Sequence, residues 1–120
     1  MKIDLKILDA RITEEHLKPA TPGSAGIDLC VSISECVSIL PGTTMRIGTG
    51  ISIHISDHGY AGLILPRSGF GNKGLVFGNL VGLIDSDYQG EIKVSLWNRS
   101  ELPIKVPVLG RIAQLLIVPI

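Results

Sequence analysis

Between residues 47 and 55, Ile47, Thr49, Ile51, Ile53 and Ile55 occupy every second position, with Gly48, Gly50, Ser52 and His54 between them. An apolar period of two is the mark of a half-buried β-strand, because successive side chains point to opposite faces. Short runs of the same kind recur along the chain. Ile3, Leu5 and Ile7 alternate, residues 27–31 and 33–40 are β-rich, and Ala61–Leu65, Leu75–Phe77, Ile92–Trp97, Ile104–Val106 and Arg111–Val118 follow. Pro41-Gly42-Thr43-Thr44 and Asp57-His58-Gly59 punctuate them as turns. The spacing predicts about nine or ten strands in a β-sandwich or barrel. No window sustains a 3.6-residue stripe, so helix is confined to a short turn at residues 11–18 or after Ser68.

The 120 residues make one domain, 1–120, with no repeat, linker or charge run. Eleven basic residues balance eleven acidic ones, so no global field attracts nucleic acid or an anionic membrane. An anionic ligand would need local partners. Met1-Lys2-Ile3-Asp4-Leu5-Lys6 alternates and lacks the apolar block of a signal peptide, and no run reaches the length of a membrane span. We therefore expect a cytoplasmic protein without nucleic-acid or membrane partners. Cys30 and Cys36 have no further cysteines or paired histidines nearby to complete a metal site. Their spacing permits a disulfide, but two buried or half-buried reduced thiols suit a cytosolic chain better. His16, His54 and His58 are scattered, and His54 falls on the wet face of its strand.

The chemistry is concentrated in polar loops. An apolar run, Asn79-Leu80-Val81-Gly82-Leu83-Ile84, delivers Asp85 to its end. Ser86, Asp87, Gln89 and Gly90 then turn the chain, and Ile92-Lys93-Val94-Ser95-Leu96 alternates away as the second arm of an expected hairpin. Asp85 and Tyr88 thus share one turn, a carboxylate beside a flat ring, which suits a small planar ligand. Asp at a turn and Tyr in packing are also ordinary structural choices. Pro66-Arg67-Ser68-Gly69-Phe70-Gly71-Asn72-Lys73-Gly74 joins a cation, a hydroxyl and bare backbone N–H groups. Such a loop can face an anion or simply be a surface turn. Asp28, after Gly26 and Ile27, reads by itself as an Asx-type cap. Gln114 is a polar side chain in an apolar strand and needs a partner there.

Taken together, Ala25-Gly26-Ile27-Asp28-Leu29, Pro66-Arg67-Ser68-Gly69, the Asn79–Gly90 segment and Gly110-Arg111-Ile112-Ala113-Gln114 resemble four of the five motifs of the trimeric dUTPases. The resemblance covers the whole chain. It implies a distorted β-barrel of jelly-roll type, a dUTPase-like β-clip, assembling as a homotrimer whose site combines the uracil hairpin of one subunit with motifs one, two and four from the surfaces of neighbouring subunits. It further implies hydrolysis of dUTP to dUMP and pyrophosphate with Mg²⁺, keeping uracil out of DNA and supplying dUMP for thymidylate synthesis. By that resemblance Asp85 orients the attacking water and contacts the 3′-hydroxyl, and Tyr88 packs under the sugar, excluding a 2′-hydroxyl. Asn79, Gly82, Leu83 and Lys93 belong to the nucleoside pocket, with backbone near Asn79 and Leu83 pairing with uracil. Arg67, Ser68, Gly69 and Gln114 hold phosphate, Gln114 also serving the catalytic water, and Asp28 approaches Mg²⁺ through water.

Two departures stand out. Val108-Leu109-Gly110-Arg111 replaces the family's Pro-Gly-acid-Arg, removing an acidic neighbour from Arg111. The sequence stops at Val118-Pro119-Ile120 without the glycine-rich fifth motif that forms a lid, so we expect nucleotide binding with slow turnover. The residues leave two other readings. A dCTP deaminase-like enzyme would share the fold, although those enzymes lack the Asp-x-Asp-Tyr-x-Gly hairpin. A lid-less, non-enzymatic dUTP sensor would keep the pocket and lose the chemistry.

Overall fold

The computed structural model describes residues 2–120. In chain order the strands are β1 (Asp4–Ile7), β2 (Ile27–Cys30), β3 (Val37–Ile39), β4 (Thr44–His54), β5 (Tyr60–Pro66), β6 (Leu75–Phe77), β7 (Gly82–Ile84), β8 (Glu91–Asn98), β9 (Ile104–Val106) and β10 (Arg111–Pro119). The expected helical turns are both present: a 3₁₀ turn at Glu14–Leu17, and α1 (Ser68–Lys73), which ends in left-handed Gly74. No helix among the described residues is long and apolar enough to cross a membrane.

All pairings are antiparallel. One sheet has the order β1-β4-β8-β6, a second β2-β10-β5-β7, and β3 pairs with β9 alone. The inward faces of the two large sheets share one core that includes Leu29, Ile51, Ile64, Phe77, Ile92, Leu96, Ile112 and Leu115. The result is a distorted barrel of jelly-roll type.

The alternation along β4 holds, since Ile47, Thr49, Ile51, Ile53 and Ile55 are all buried. Thr49 is the polar member, and its hydroxyl donates to Ile92 O at 2.7 Å, which removes the cost of burying it. The opposite face was expected to be wet, yet Gly50 and Ser52 are buried too. The β4–β8 register shifts between Gly48 and Ser52, and Gly50 sits at φ 73°, a backbone bulge. Leu8 and Asp9 donate their N–H groups to Gly50 O there, closing the face over.

The expected hairpin between β7 and β8 does not form. β7 pairs with β5, whereas β8 pairs with β4 and β6. The turn at residues 85–90 therefore crosses from one sheet to the other instead of joining two partnered strands. β8 has both edges occupied, and β7 completes the edge of the other sheet. Alternation reports which face of a strand is buried, not which strand lies beside it. The run expected over 33–40 narrows to β3, and Cys36, expected to be at least half-buried, is exposed. Cys30 is buried, and both thiols are free.

Candidate functional site: two half-sites on one barrel

The sequence motifs gather into two clusters rather than one. The first lies across β2, β10 and β5. Gln114 of β10 is in register with Asp28 on one side and Leu65 on the other. This register brings together residues 86 positions apart in the chain. Asp28 receives Arg67 Nε at 3.2 Å, and Arg111 Nη1 lies 3.7 Å from its second oxygen. Arg67 also donates to Arg111 O at 3.2 Å. Gln114 Nε2 donates to Pro66 O at 3.3 Å, the partner that a polar group in this strand requires. The Arg111 side chain, without an acidic neighbour in sequence, obtains its counter-charge from Asp28 across the sheet. That contact was not visible in the sequence.

Arg67 continues directly from the end of β5, so the strand aims its side chain back over the sheet. Ser68 and Gly69 form the first turn of α1, with no side-chain cap on that turn. Together with Phe70 and Lys73 they line a groove of about 230 Å³. Lys73 Nζ lies 5.8 Å from the Phe70 ring centre, a cation–π distance. This side of the barrel offers an anion Arg67, Lys73 and the Ser68 hydroxyl. Cys30, next along β2 beyond Leu29, borders this cluster. Burial, foremost, raises its thiol pKa, Asp28 adding to the rise and Arg111 and Arg67 opposing it.

The second cluster surrounds the turn after β7. Leu83, Ile84, Asp85, Tyr88 and Lys93 line a groove of about 210 Å³, joined by Arg46 of β4, a residue the motif reading missed. Tyr88 is pinned at both ends: its N–H donates to Asp85 O at 3.1 Å, and its hydroxyl donates to Glu91 O at 2.8 Å. Gly90 makes this possible, because a Cβ there would stand 2.6 Å from the Tyr88 hydroxyl oxygen and 2.8 Å from Cζ. Asn79 and Leu80 form the tight turn before β7, with Leu80 at φ 66°. Gly82 lies opposite Ile64, so β7 packs close on β5. Leu80 and Leu83 are 65% and 66% exposed, a large apolar surface beside a carboxylate and two cations. That combination suits a flat heterocycle carried on a charged group.

Within one chain the two clusters lie at opposite ends of β5. Ile84 pairs with Gly62, so Asp85 emerges toward the Tyr60 end of β5, while Arg67 leaves the Pro66 end. Gly62 and Arg67 are separated by roughly 17 Å at the ordinary rise of a strand. Asp85 lies beyond that again.

Fold and grooves together define a small antiparallel barrel protein with a cationic groove beside one end of β5 and a groove lined by Asp85, Tyr88, Lys93 and Arg46 beside the other. The dUTPase family model matches residues 13–120. A deoxyuridine 5′-triphosphate nucleotidohydrolase of Paraburkholderia phytofirmans is 54% identical over all of this chain and 82% of its own length. One of Thiobacillus denitrificans is 56% identical over 98% of the chain and 82% of its own length. Among solved structures, the Staphylococcus bacteriophage 80alpha dUTPase superposes with a TM-score of 0.86 at 25% identity, over 99% of this chain and 90% of that one. A mutant dUTPase of phage phi11 of S. aureus, described in terms of the coordination of a structural Mg(II) ion, gives 0.84 at 23% identity, over 100% and 92%. The chain belongs to the dUTPase family.

Proposed function

We propose that this chain hydrolyses dUTP to dUMP and pyrophosphate, keeping uracil out of DNA and supplying dUMP for thymidylate synthesis, as a cytoplasmic homotrimer. The observation that carries the reading is the gathering of Asp85, Tyr88 and Lys93 around one groove, in a chain of this family. Uracil lies between β7 and the Asn79 turn, its edge read by backbone near Asn79 and Leu83, with Gly82 allowing the close approach. Tyr88 supports the deoxyribose and leaves no room for a 2′-hydroxyl. Asp85 orients the attacking water and accepts its proton as the water reaches the α-phosphorus in line. The bond to the bridging oxygen breaks, and the departing pyrophosphate takes its charge onto Arg67, Ser68, the Gly69 backbone and Gln114.

The separation of the half-sites supports an assembly in which one copy contributes Asp85 and a neighbour contributes Arg67. A closed ring of three supplies each groove with a partner without leaving an open end. As for metal, the described residues include no group of three or more His, Cys, Asp or Glu side chains that could cage an ion. Asp28, half-buried and next to the phosphate groove, is a single carboxylate. That donor set fits Mg²⁺, which keeps several waters and takes phosphate oxygens as ligands. Asp28 would hold the ion through water, and the ion would neutralise charge on the triphosphate.

Pyrophosphate release measured with dUTP, UTP, dTTP and dCTP tests the reading. It predicts release from dUTP far above the other three. Ammonia release from dCTP would instead identify a deaminase, and tight dUTP binding without release of either product would identify a sensor.

A further inference from the structure

Arg46 belongs to none of the motifs, yet it lines the nucleoside groove with Asp85, Tyr88 and Lys93. The ladder explains how it arrives there. Arg46 is in register with Ser95, and Gly48 with Lys93, so Arg46 and Lys93 are diagonal neighbours on the outward face of the β4–β8 pair. Their phase is opposite to that of the buried Ile47 and Val94. Diagonal neighbours are about 7–8 Å apart, close enough for long side chains to meet. Two cations so arranged repel each other unless an anion sits between them.

Among the described residues, neither Arg46 nor Lys93 has an ion pair or a side-chain hydrogen bond. Glu91 shares their face but is committed elsewhere, accepting the Gly50 N–H at 3.1 Å while its carboxylate occupies the space over Gly48. Asp85 is the one carboxylate lining the same groove, leaving it with two positive charges against one negative. A neutral nucleoside needs no such excess.

Building on the reading that this groove takes deoxyuridine, we propose that Arg46, with Lys93, binds the 5′-phosphate attached to that sugar. The phosphate is thereby held by the chain that holds the base, before a neighbour's Arg67 and Ser68 engage the rest of the triphosphate. Arg46 is then a substrate-binding and product-retaining residue, and dUMP keeps a charged anchor after pyrophosphate has left. An Arg can meet two phosphate oxygens at once, whereas a Lys acts as a point charge.

Calorimetry with deoxyuridine, its 5′-monophosphate and its 3′-monophosphate separates the possibilities, using the whole protein and its Arg46→Leu and Arg46→Lys variants. Wild type should prefer the 5′-monophosphate over deoxyuridine. Arg46→Leu should shrink that preference by roughly threefold to tenfold, allowing for solvent screening of an exposed charge. Deoxyuridine affinity should stay unchanged, which also reports that the groove is intact, and Arg46→Lys should recover part of the loss. An unchanged preference, an equal fall for deoxyuridine, or a loss confined to the 3′-monophosphate overturns the assignment of Arg46. Failure of the wild type to bind either deoxyuridine or dUMP would overturn the dUTP reading itself.

Discussion

The phosphate cluster and the nucleoside groove are built in opposite ways. Asp28, Arg111 and Gln114 stand on the neighbouring strands β2 and β10, and Arg67 joins them from just beyond the end of β5, so ladder register holds them together. Asp85, Tyr88 and Gly90 lie within six residues of one turn, and that turn's own hydrogen bonds fix their geometry. The cluster made from distant parts of the chain is locked by ion pairs and rigid backbone. The local one is exposed, mixes charged groups with apolar side chains, and is shaped by a single glycine. In the proposed reaction a base on the second and leaving-group stabilisers on the first, at opposite ends of β5, come from different chains.

The sharpest break in this comparison is Asp85→Asn. The amide keeps the shape and can still contact the sugar, but it cannot take a proton from water. Turnover should fall by about 10²–10⁴-fold while binding of a non-hydrolysable dUTP analogue is largely retained. Near-normal pyrophosphate release would remove Asp85 as the base. Gly90→Ala attacks the same turn through geometry alone. The added methyl must push the Tyr88 ring off its seat, so the preference for dUTP over UTP in kcat/KM should contract by about tenfold, as it should in Tyr88→Ala. If Gly90→Ala left that ratio intact, sugar selection would not depend on the ring's position.

Asp28→Asn disturbs the other region. Removing the negative charge leaves Arg67 and Arg111 without their shared partner, so KM for dUTP should rise by a few fold, with the effect shrinking in high salt. The dUTP-to-UTP ratio should not move. A change in that ratio would show that the two regions are coupled more tightly than the ladder suggests.

The smallest expected effect concerns the clip that Asp9 forms over the Gly50 bulge of β4. Asp9 accepts bonds from the Arg11 guanidinium, from the Ser32 hydroxyl at 2.7 Å and from the Arg11 N–H at 3.0 Å. These partners, Arg11 foremost, hold its carboxyl well below the usual carboxylate range. A depressed folded-state pKa contributes stability above the unfolded value, 3.8, and that stability is lost as pH falls below it through the folded value. Asp9→Asn should therefore lower Tm modestly at neutral pH, and the gap to wild type should close as pH drops from about 4 toward 2. A gap independent of pH would mean that the clip acts through packing rather than charge. Neutral-pH kcat should be unaffected.

The same contrast governs how much was legible beforehand. Asp85, Tyr88 and Gly90 could be read directly because everything that fixes them lies nearby in the chain. The strand phases of Ile47–Ile55, Ile92–Leu96 and Ile104–Val106 were equally open, since burial imprints a period of two. Pairing was not. Nothing in the alternation of residues 92–96 tells β8 to join β4 and β6 rather than β7, so the expected hairpin was misjoined. For the same reason Arg111 looked unsupported, although Asp28 waits across the ladder. Arg46 was missed because its outward phase against Ile47 was visible, but the groove it faces was not.

Mixing two crippled chains tests the central claim most directly. Asp85→Asn and Arg67→Ala should each be nearly inactive alone. When they are co-assembled in equal amounts, the account predicts recovery of about a quarter of the wild-type sites, each pairing an intact Asp85 with a neighbour's intact Arg67. Pyrophosphate release from the mixture that stays at the level of the separate variants, despite demonstrated mixed assembly, would contradict it and put both residues in one chain's site.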